Sequence, residues 1–292
     1  MGEAKEVGKV SYDALRFARS IIKEGVSVRE AAEKIEGFIK EKGFDLAFPA
    51  NISANSVAAH DTPEANDART FGKDVIKVDV GARKGDILGD CAITLDLSEN
   101  YGKLVEAADE ALNSAISVVK AGVSISKIGS EVEKIAKARG FKPIRNLGGH
   151  AIEAGSLHAR FFIPNFDNGD ETKLEEGQTI AIETFITDGA GYVEDSEYVQ
   201  IFQMLGMPTL RSHTSRNIAQ YINSNYSTYP FALRWLSKKF ESEFAVRSAI
   251  NEMAAHDALE AFPALVDKGK GIVAQAEKSM IVEKDSCLVL TE

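Results

Sequence analysis

The chain has 292 residues, with 34 Lys and Arg against 44 Asp and Glu, a net charge of −10 at pH 7. Its 44% apolar and 27% charged residues are those of an ordinary globular protein, which excludes disordered, collagenous and coiled-coil chains. The acidic balance argues against nucleic acid as the main ligand. No run reaches the ~18–20 apolar residues of a membrane-spanning helix. The segment MGEAKEVGKV has neither a signal-peptide apolar core nor a lipidation motif, since Glu6 stands where Ser or Thr is needed. Cys91 and Cys287 do not make a disulfide framework, so the expectation is a cytoplasmic protein with reduced, buried thiols.

Residues 22–44 and 119–141 match without gaps, at an offset of 97 (119 against 22). Lys23, Gly25, Val26, Ser27, Glu36, Lys40, Gly43 and Phe44 recur as Lys120, Gly122, Val123, Ser124, Glu133, Lys137, Gly140 and Phe141. Each copy follows an amphipathic helix, with Leu15, Ala18 and Ile22 in the first half and Leu104, Ala108, Leu112 and Ala115 in the second. Gly25 or Gly122 then ends that helix, Ser27 or Ser124 caps the next one, and Gly43 or Gly140 closes it. Two copies are too few for a solenoid, so two related halves closing on each other are expected.

After each helical pair the pattern turns to β-branched runs: 75–82 and 86–97 in the first half, 178–187 and 278–291 in the second. Helices then strands, twice, imply an α+β fold with a mostly antiparallel sheet carrying outer helices. Residues 200–262 break the symmetry and read as a helical insertion within a single domain spanning 1–292, with helices over SRNIAQYI, PFALRWLSKKF and FAVRSAINEMAAHDALEAF.

Asp79 and Asp90 flank VGARKGDILG, which reads as two strands joined by a tight turn at Lys84–Gly85. That places the two carboxylates opposite each other, ~4.5–5.5 Å apart at Cβ, where ionised carboxylates repel unless a cation sits between them. From spacing alone, a metal-bridged pair and two carboxylates on a solvated turn stand level. His150 follows Leu147-Gly148-Gly149, His60 lies in AAHDTPE and His158 in SLHARFFIPN; none is decisive singly. His213 and His256 fall among polar residues of the insertion and read as surface. Glu183, inside the apolar run TIAIETFI, is the sharpest single signal, because a carboxylate there is costly unless paired or metal-bound. Glu277, ahead of the last apolar run, is unremarkable by itself. Together Asp79, Asp90, His150, Glu183 and Glu277 make an oxygen-rich set with one imidazole, suited to Mn, Fe, Co or Zn rather than to a structural zinc site. Four carboxylates exceed the need of one dication and favour two ions that share ligands. No G-x-S-x-G, P-loop, G-x-G-x-x-G or H-E-x-x-H is present.

FPANISANSVAAHDTPE, VDVGARKGDILGDCA, NLGGHAI, SLHARFFIPN, IAIETF and QAEKSMIVEKDS, in this order and spacing, resemble the type 2 methionine aminopeptidases over nearly the whole chain. The insertion resembles type 2 rather than type 1, and the lack of a long polar N-terminal extension resembles the archaeal form. The resemblance implies the pita-bread fold and two divalent ions held by Asp79, Asp90, His150, Glu183 and Glu277, with Asp90 and Glu277 bridging. A hydroxide bridging the ions would then attack the methionyl carbonyl, Glu183 helping to move its proton. It implies that His158 hydrogen-bonds the substrate carbonyl, that His60 contacts the peptide, and that Phe48 and Leu157 wall the methionine pocket. The implied substrate is the N-terminal methionine of nascent polypeptides, met close to the ribosome by a monomer that needs neither membrane nor nucleic acid. Asp61 stands where the family usually has Tyr, Lys278 where it has His, and Arg160 where it has Gly; none of these removes a ligand. An Xaa-Pro aminopeptidase or dipeptidase would share the ligand set but usually carries a larger N-terminal domain. A non-catalytic pita-bread binding module would have lost ligands that are all present here.

Overall fold

A computed structural model describes every residue from Met1 to Glu292. Helices α1 (Gly2–Ile21) and α2 (Val28–Glu41) form one αα hairpin, and α3 (Gly102–Ser117) and α4 (Ile125–Ala138) form its counterpart. Both turns pass through a left-handed glycine, Gly25 at φ +82° and Gly122 at φ +84°, a conformation only glycine adopts without cost. The repeat extends to the hydrogen bonds. Gly25 N–H donates to Phe71 O and Val28 N–H to Arg69 O; in the second half, Gly122 N–H donates to Leu174 O and Ile125 N–H to Thr172 O. The caps differ. Ser27 accepts from Glu30 N, as expected, whereas the Ser124 hydroxyl pairs with the Ser126 hydroxyl at 3.2 Å and caps nothing.

The main strands, in chain order, are β1 (Asn51–Ala54), β2 (Val57–Ala59), β3 (Val75–Val80), β4 (Cys91–Asp96), β5 (Gly148–Glu153), β6 (Ser156–Pro164), β7 (Thr179–Thr187), β8 (Val193–Met204), β9 (Leu259–Asp267) and β10 (Val273–Val282). Seven of them lie side by side in the order β6-β5-β7-β10-β4-β3-β1, and every pairing is antiparallel. The last long strand of the chain, β10, occupies the middle and joins the two halves. Its helix-facing side packs α3 and α4 through Leu104, Leu112, Ile128, Ile182 and Met280. In the first half, Leu15, Ile35, Ile39, Ile76 and Val78 do the same for α1 and α2. One face of the sheet is thereby committed to the helices, and alternation along each strand turns Asp79, Glu183 and Glu277 to the other.

Three expectations need correction. The turn is centred one residue later, with Lys84 paired to Ile87, so Asp79 faces Ala92, and Asp90 lies two residues before Ala92, just ahead of β4. The two aspartates are diagonal neighbours on one face, not direct partners. Strand β10 begins at Val273, five residues before the expected Lys278, so Glu277 is mid-strand instead of ahead of it. The insertion is helical only between strands: α5 (His213–Asn225), α6 (Leu233–Phe240) and α7 (Glu243–Ala254) sit between β8 and β9. Residues 200–204 and 259–262 belong to those strands, which form a second sheet with β2 and Phe231–Ala232. The third helical segment stops at Ala254, and Asp257 at φ +52° turns the chain into β9. No helix is long and apolar enough to cross a membrane.

Candidate metal centre

Sheet register assembles the site from two adjacent rows. In the first, Asn51 pairs with Asp79, Asp79 with Ala92, Ala92 with Glu277 and Glu277 with Glu183, a line across five strands. In the second, His150 pairs with Ala181 and Ala181 with Ser279, whose hydroxyl accepts from Asp90 N at 2.9 Å and donates to Asp90 O at 2.5 Å. Both rows lie on the sheet face away from the helices. The glycines before His150 work as close-approach points between strands: a Cβ on Gly149 would sit 2.2 Å from Ala181 O.

All five expected ligands line one cavity of about 310 Å³. Asp90, His150 and Glu277 are buried; Asp79 and Glu183 are half-buried. Ligand atoms of Asp90, His150 and Glu277 lie within 4.8 Å of one another, and so do those of Asp79, Glu183 and Glu277. Glu277 is common to both groups; Asp90 belongs to one. His150 Nδ1 lies 3.3 Å from Ala151 O, and because a carbonyl only accepts, this contact suits the tautomer that presents Nε2 as the ligand atom. That Nε2 stands 3.4 Å from Asp90 Oδ2 and 4.0 Å from Glu277 Oε1.

The electrostatics are those of an uncompensated acidic cluster. Burial, followed by the neighbouring Asp90 charge, holds the Asp79 carboxyl well above its usual range. Burial pushes Asp90 up to about 7, and burial with the surrounding carboxylates raises Glu183 and Glu277 well above theirs. Asp79 Oδ1, Asp90 Oδ1 and both carboxyl oxygens of Glu277 are buried without any hydrogen-bond partner. Such atoms are costly in a folded protein. Cations coordinated by these oxygens would satisfy them and offset the repulsion, so the residues fit divalent metal.

The other expected residues line the same cavity: Phe48, His60, Leu157 and His158. The His158 ring meets His150 edge-on at 4.4 Å between centroids; its residue stays exposed at the cavity wall, and partial desolvation there, with the His150 ring beside it, lowers its pKa from the ordinary imidazole value. His60, at φ +62°, points Nδ1 to Pro263 O at 3.3 Å, and burial lowers it to about 4. Phe48 belongs to an apolar cluster with Leu88, Ile152 and Tyr229, against which Leu157 packs. His213 and His256 are exposed, as expected; Cys91 is buried and Cys287 half-buried.

The departures are absorbed outside the cavity. Asp61 is buried against Arg69, whose guanidinium contacts Asp61 and Asp67 at 2.7 Å each. Lys278 lies on the helix-facing side of β10, near Asp109. Arg160 is exposed and pairs with Glu153.

Gln275 escaped the sequence reading. Two residues before Glu277 on the same face of β10, its Nε2 donates to Glu183 Oε1 at 2.7 Å and to Asp79 Oδ2 at 3.1 Å. A buried amide two positions from a candidate ligand was the available cue. Asn51, paired with Asp79, also lines the cavity and was likewise missed.

The model of metallopeptidase family M24 matches residues 2–205. A methionine aminopeptidase of Archaeoglobus fulgidus is 42% identical over 288 residues, covering 98% of this chain and 97% of its own length. Among solved structures, that of a thermophilic Arx1 overlays with a TM-score of 0.83 at 17% identity, covering 99% of this chain and 91% of that one. The methionine aminopeptidase of Rickettsia prowazekii overlays with a TM-score of 0.71 at 19% identity, covering 99% and 96%. At these identities the two overlays show a shared fold.

Proposed function

Because this chain belongs to metallopeptidase family M24 and, within it, to the methionine aminopeptidases of archaeal, type 2-like kind, whose pita-bread fold it has, we propose that it removes the N-terminal methionine from nascent proteins and peptides by metal-dependent hydrolysis. The observation that carries the reading is the pair of ligand groups joined through Glu277, with carboxylate oxygens left unsatisfied in a cavity. It supports two divalent cations, one among Asp90, His150 and Glu277 and the other among Asp79, Glu183 and Glu277, with Mn, Fe, Co and Zn all suited to the donor set. Bound there, the cations supply Lewis acidity, acidifying water and offsetting charge that develops on the scissile carbonyl.

The chain's own groups do the rest. Gln275 engages Glu183 Oε1 and so orients the carboxylate that would hold a cation and help move the proton of the attacking water. His158 and His60 are neutral at pH 7, so each offers a ring N–H or a lone pair to the peptide without adding charge. Phe48 and Leu157 provide apolar wall for the methionine side chain, whose burial is worth roughly 1.5–3 kcal/mol. A free α-amine would bind beside the cations and the carboxylates that hold them, which restricts attack to chain ends. Such substrates place the reaction in the cytoplasm.

Incubation of Met-Ala-Ser with the protein and Mn²⁺ or Co²⁺, before and after chelation, tests the proposal. Chelator-sensitive release of methionine is expected; no release with any metal overturns it. Cleavage of Xaa-Pro in preference to Met-Ala would assign the chain to the dipeptidase branch of the fold instead.

A further inference from the structure

Arg234 and Glu36 form a buried ion pair 198 positions apart in sequence, between α6 of the insertion and α2 of the first half. They are 3% and 5% exposed and do not line the cavity, and the chemistry proposed above does not use them. What they hold is specific. Glu36 Oε1 accepts from Ala50 N at 3.2 Å, and its Oε2 accepts from Trp235 Nε1 at 2.9 Å. Arg234 Nη1 donates to Thr62 Oγ1 at 2.5 Å and to Pro63 O at 3.3 Å. The Thr62 hydroxyl in turn donates to Ala50 O at 2.8 Å. Both polar groups of the Ala50 backbone are therefore tied to this pair, one directly and one through Thr62.

Ala50 sits two residues after Phe48 and directly before Asn51; Thr62 sits two residues after His60. Phe48, Asn51 and His60 all line the cavity. His60 needs such support, because a non-glycine residue at φ +62° persists only where its surroundings over-determine it. The repeat supplies a comparison. Glu133, the counterpart of Glu36, keeps an 18% exposed side chain and pairs with Lys137 and Arg145 at the surface. Only the first-half copy has been drawn into a contact with the insertion.

We propose that Arg234 and Glu36 are positioning residues for substrate recognition: the insertion uses this pair, through Thr62 and Ala50, to hold Phe48 and His60 in place against the bound methionine. The inference rests on the function proposed above. It assigns the insertion a role in selectivity for the first side chain, exercised from outside the cavity. A loosened clamp leaves the metal ligands, which lie on other strands, undisturbed.

Three variants test it: the apolar pair Glu36→Met with Arg234→Met, which replaces a buried ion pair without leaving one charge alone; Thr62→Val, which removes only the linking hydroxyl; and Thr62→Ser, which restores it. Met-Ala-Ser and Leu-Ala-Ser hydrolysis with Mn²⁺, metal content, and hydrogen exchange over residues 47–63 are measured for each. The apolar pair should keep wild-type metal content, exchange faster over 47–63, and lose about 30- to 100-fold in kcat/KM for Met-Ala-Ser, as a misplacement of about 1 Å can cost. Its preference for Met over Leu should fall about tenfold or more. Thr62→Val should lose about tenfold, the worth of one strong hydrogen bond, and Thr62→Ser should recover most of that. Wild-type exchange, rate and selectivity in the apolar pair would overturn the proposal. Should that variant fail to fold, equal behaviour of Thr62→Val and Thr62→Ser overturns it and divergence between them supports it. If the wild-type protein releases no methionine, the function above falls, while the exchange measurement alone still decides whether the clamp exists.

Discussion

Glu183 and Glu277 are direct cross-strand partners on β7 and β10, two acidic side chains placed at the closest spacing an antiparallel pair allows. Like charges at that position oppose folding, and the diagonal neighbours Asp79 and Asp90 add to it. The sheet register thus concentrates negative charge that only a positive guest relieves.

Metal-free protein should lose stability as pH rises. The cluster carboxyls have folded pKa values raised above their unfolded ones, Asp90 to about 7 from an ordinary 3.8. The folded state then binds more protons than the unfolded state between those values, so the stabilisation is complete below about pH 4 and is lost as pH climbs through about 7. Denaturant midpoints in chelator should fall between about pH 6.5 and 8; below that range the buried His60 and His150, whose pKa values burial lowers to about 4, act in the opposite sense. Added Mn²⁺ should restore stability most at the upper end, through mass action on the folded state. A flat profile in chelator would contradict this.

Glu277→Gln should separate stability from function. It removes a buried charge from both ligand groups, so activity should fall ~10³-fold or more, a loss of roughly 4 kcal/mol in transition-state stabilisation. The metal-free variant should nonetheless be more stable than the wild type at pH 7, by about 1–2 kcal/mol. Calorimetry of the two chelated proteins and metal content of the loaded ones check both halves.

Gln275→Leu should weaken metal retention. The amide orients Asp79 and Glu183 together, and loss of such an outer partner typically costs ~10–100-fold in metal affinity or activity. Competition with a chelator of graded strength measures it. Gln275→Glu should be worse, since it places a further negative charge among the four.

Arg160→Gly should stabilise the protein slightly. Arg160 is held at φ +44°, at a cost of roughly 1–2 kcal/mol for a side-chain-bearing residue, while its exposed pair with Glu153 is worth ~0–1 kcal/mol. A rise of about 0.5–1 kcal/mol in unfolding free energy is expected, with methionine release unchanged.

The two-half repeat was legible because its glycines do the same backbone work in both copies, which ties sequence identity to conformation. Glu183 was legible because apolar neighbours bracket it on a strand with clear periodicity. Other features were set by contacts that a local reading cannot weigh. The turn between Asp79 and Asp90 shifted because Ala82–Lys84 and Ile87–Leu88 leave the main sheet to pair with each other and with Asp45–Leu46. The start of β10 at Val273 was hidden because AQAE lacks β-branched residues; its burial comes from the strands on either side. Strand β6 alternates exposed and half-buried positions and has Ile163 as its one β-branched residue, so it carried no strand signal of its own. Gln275 offers no metal-donor signal, and the Arg234–Glu36 pair joins segments too far apart for spacing to suggest.

The central place of β10 orders events during synthesis. Asp79 and Asp90 leave the ribosome long before Glu277, and β4 and β7 have no shared neighbour until residues 273–282 arrive between them. Neither half can complete its sheet early, so long-range pairing late in the chain governs the folding rate. A chain that lacks β10 is therefore an inert one: hydrolytic power arrives in a single step with that strand.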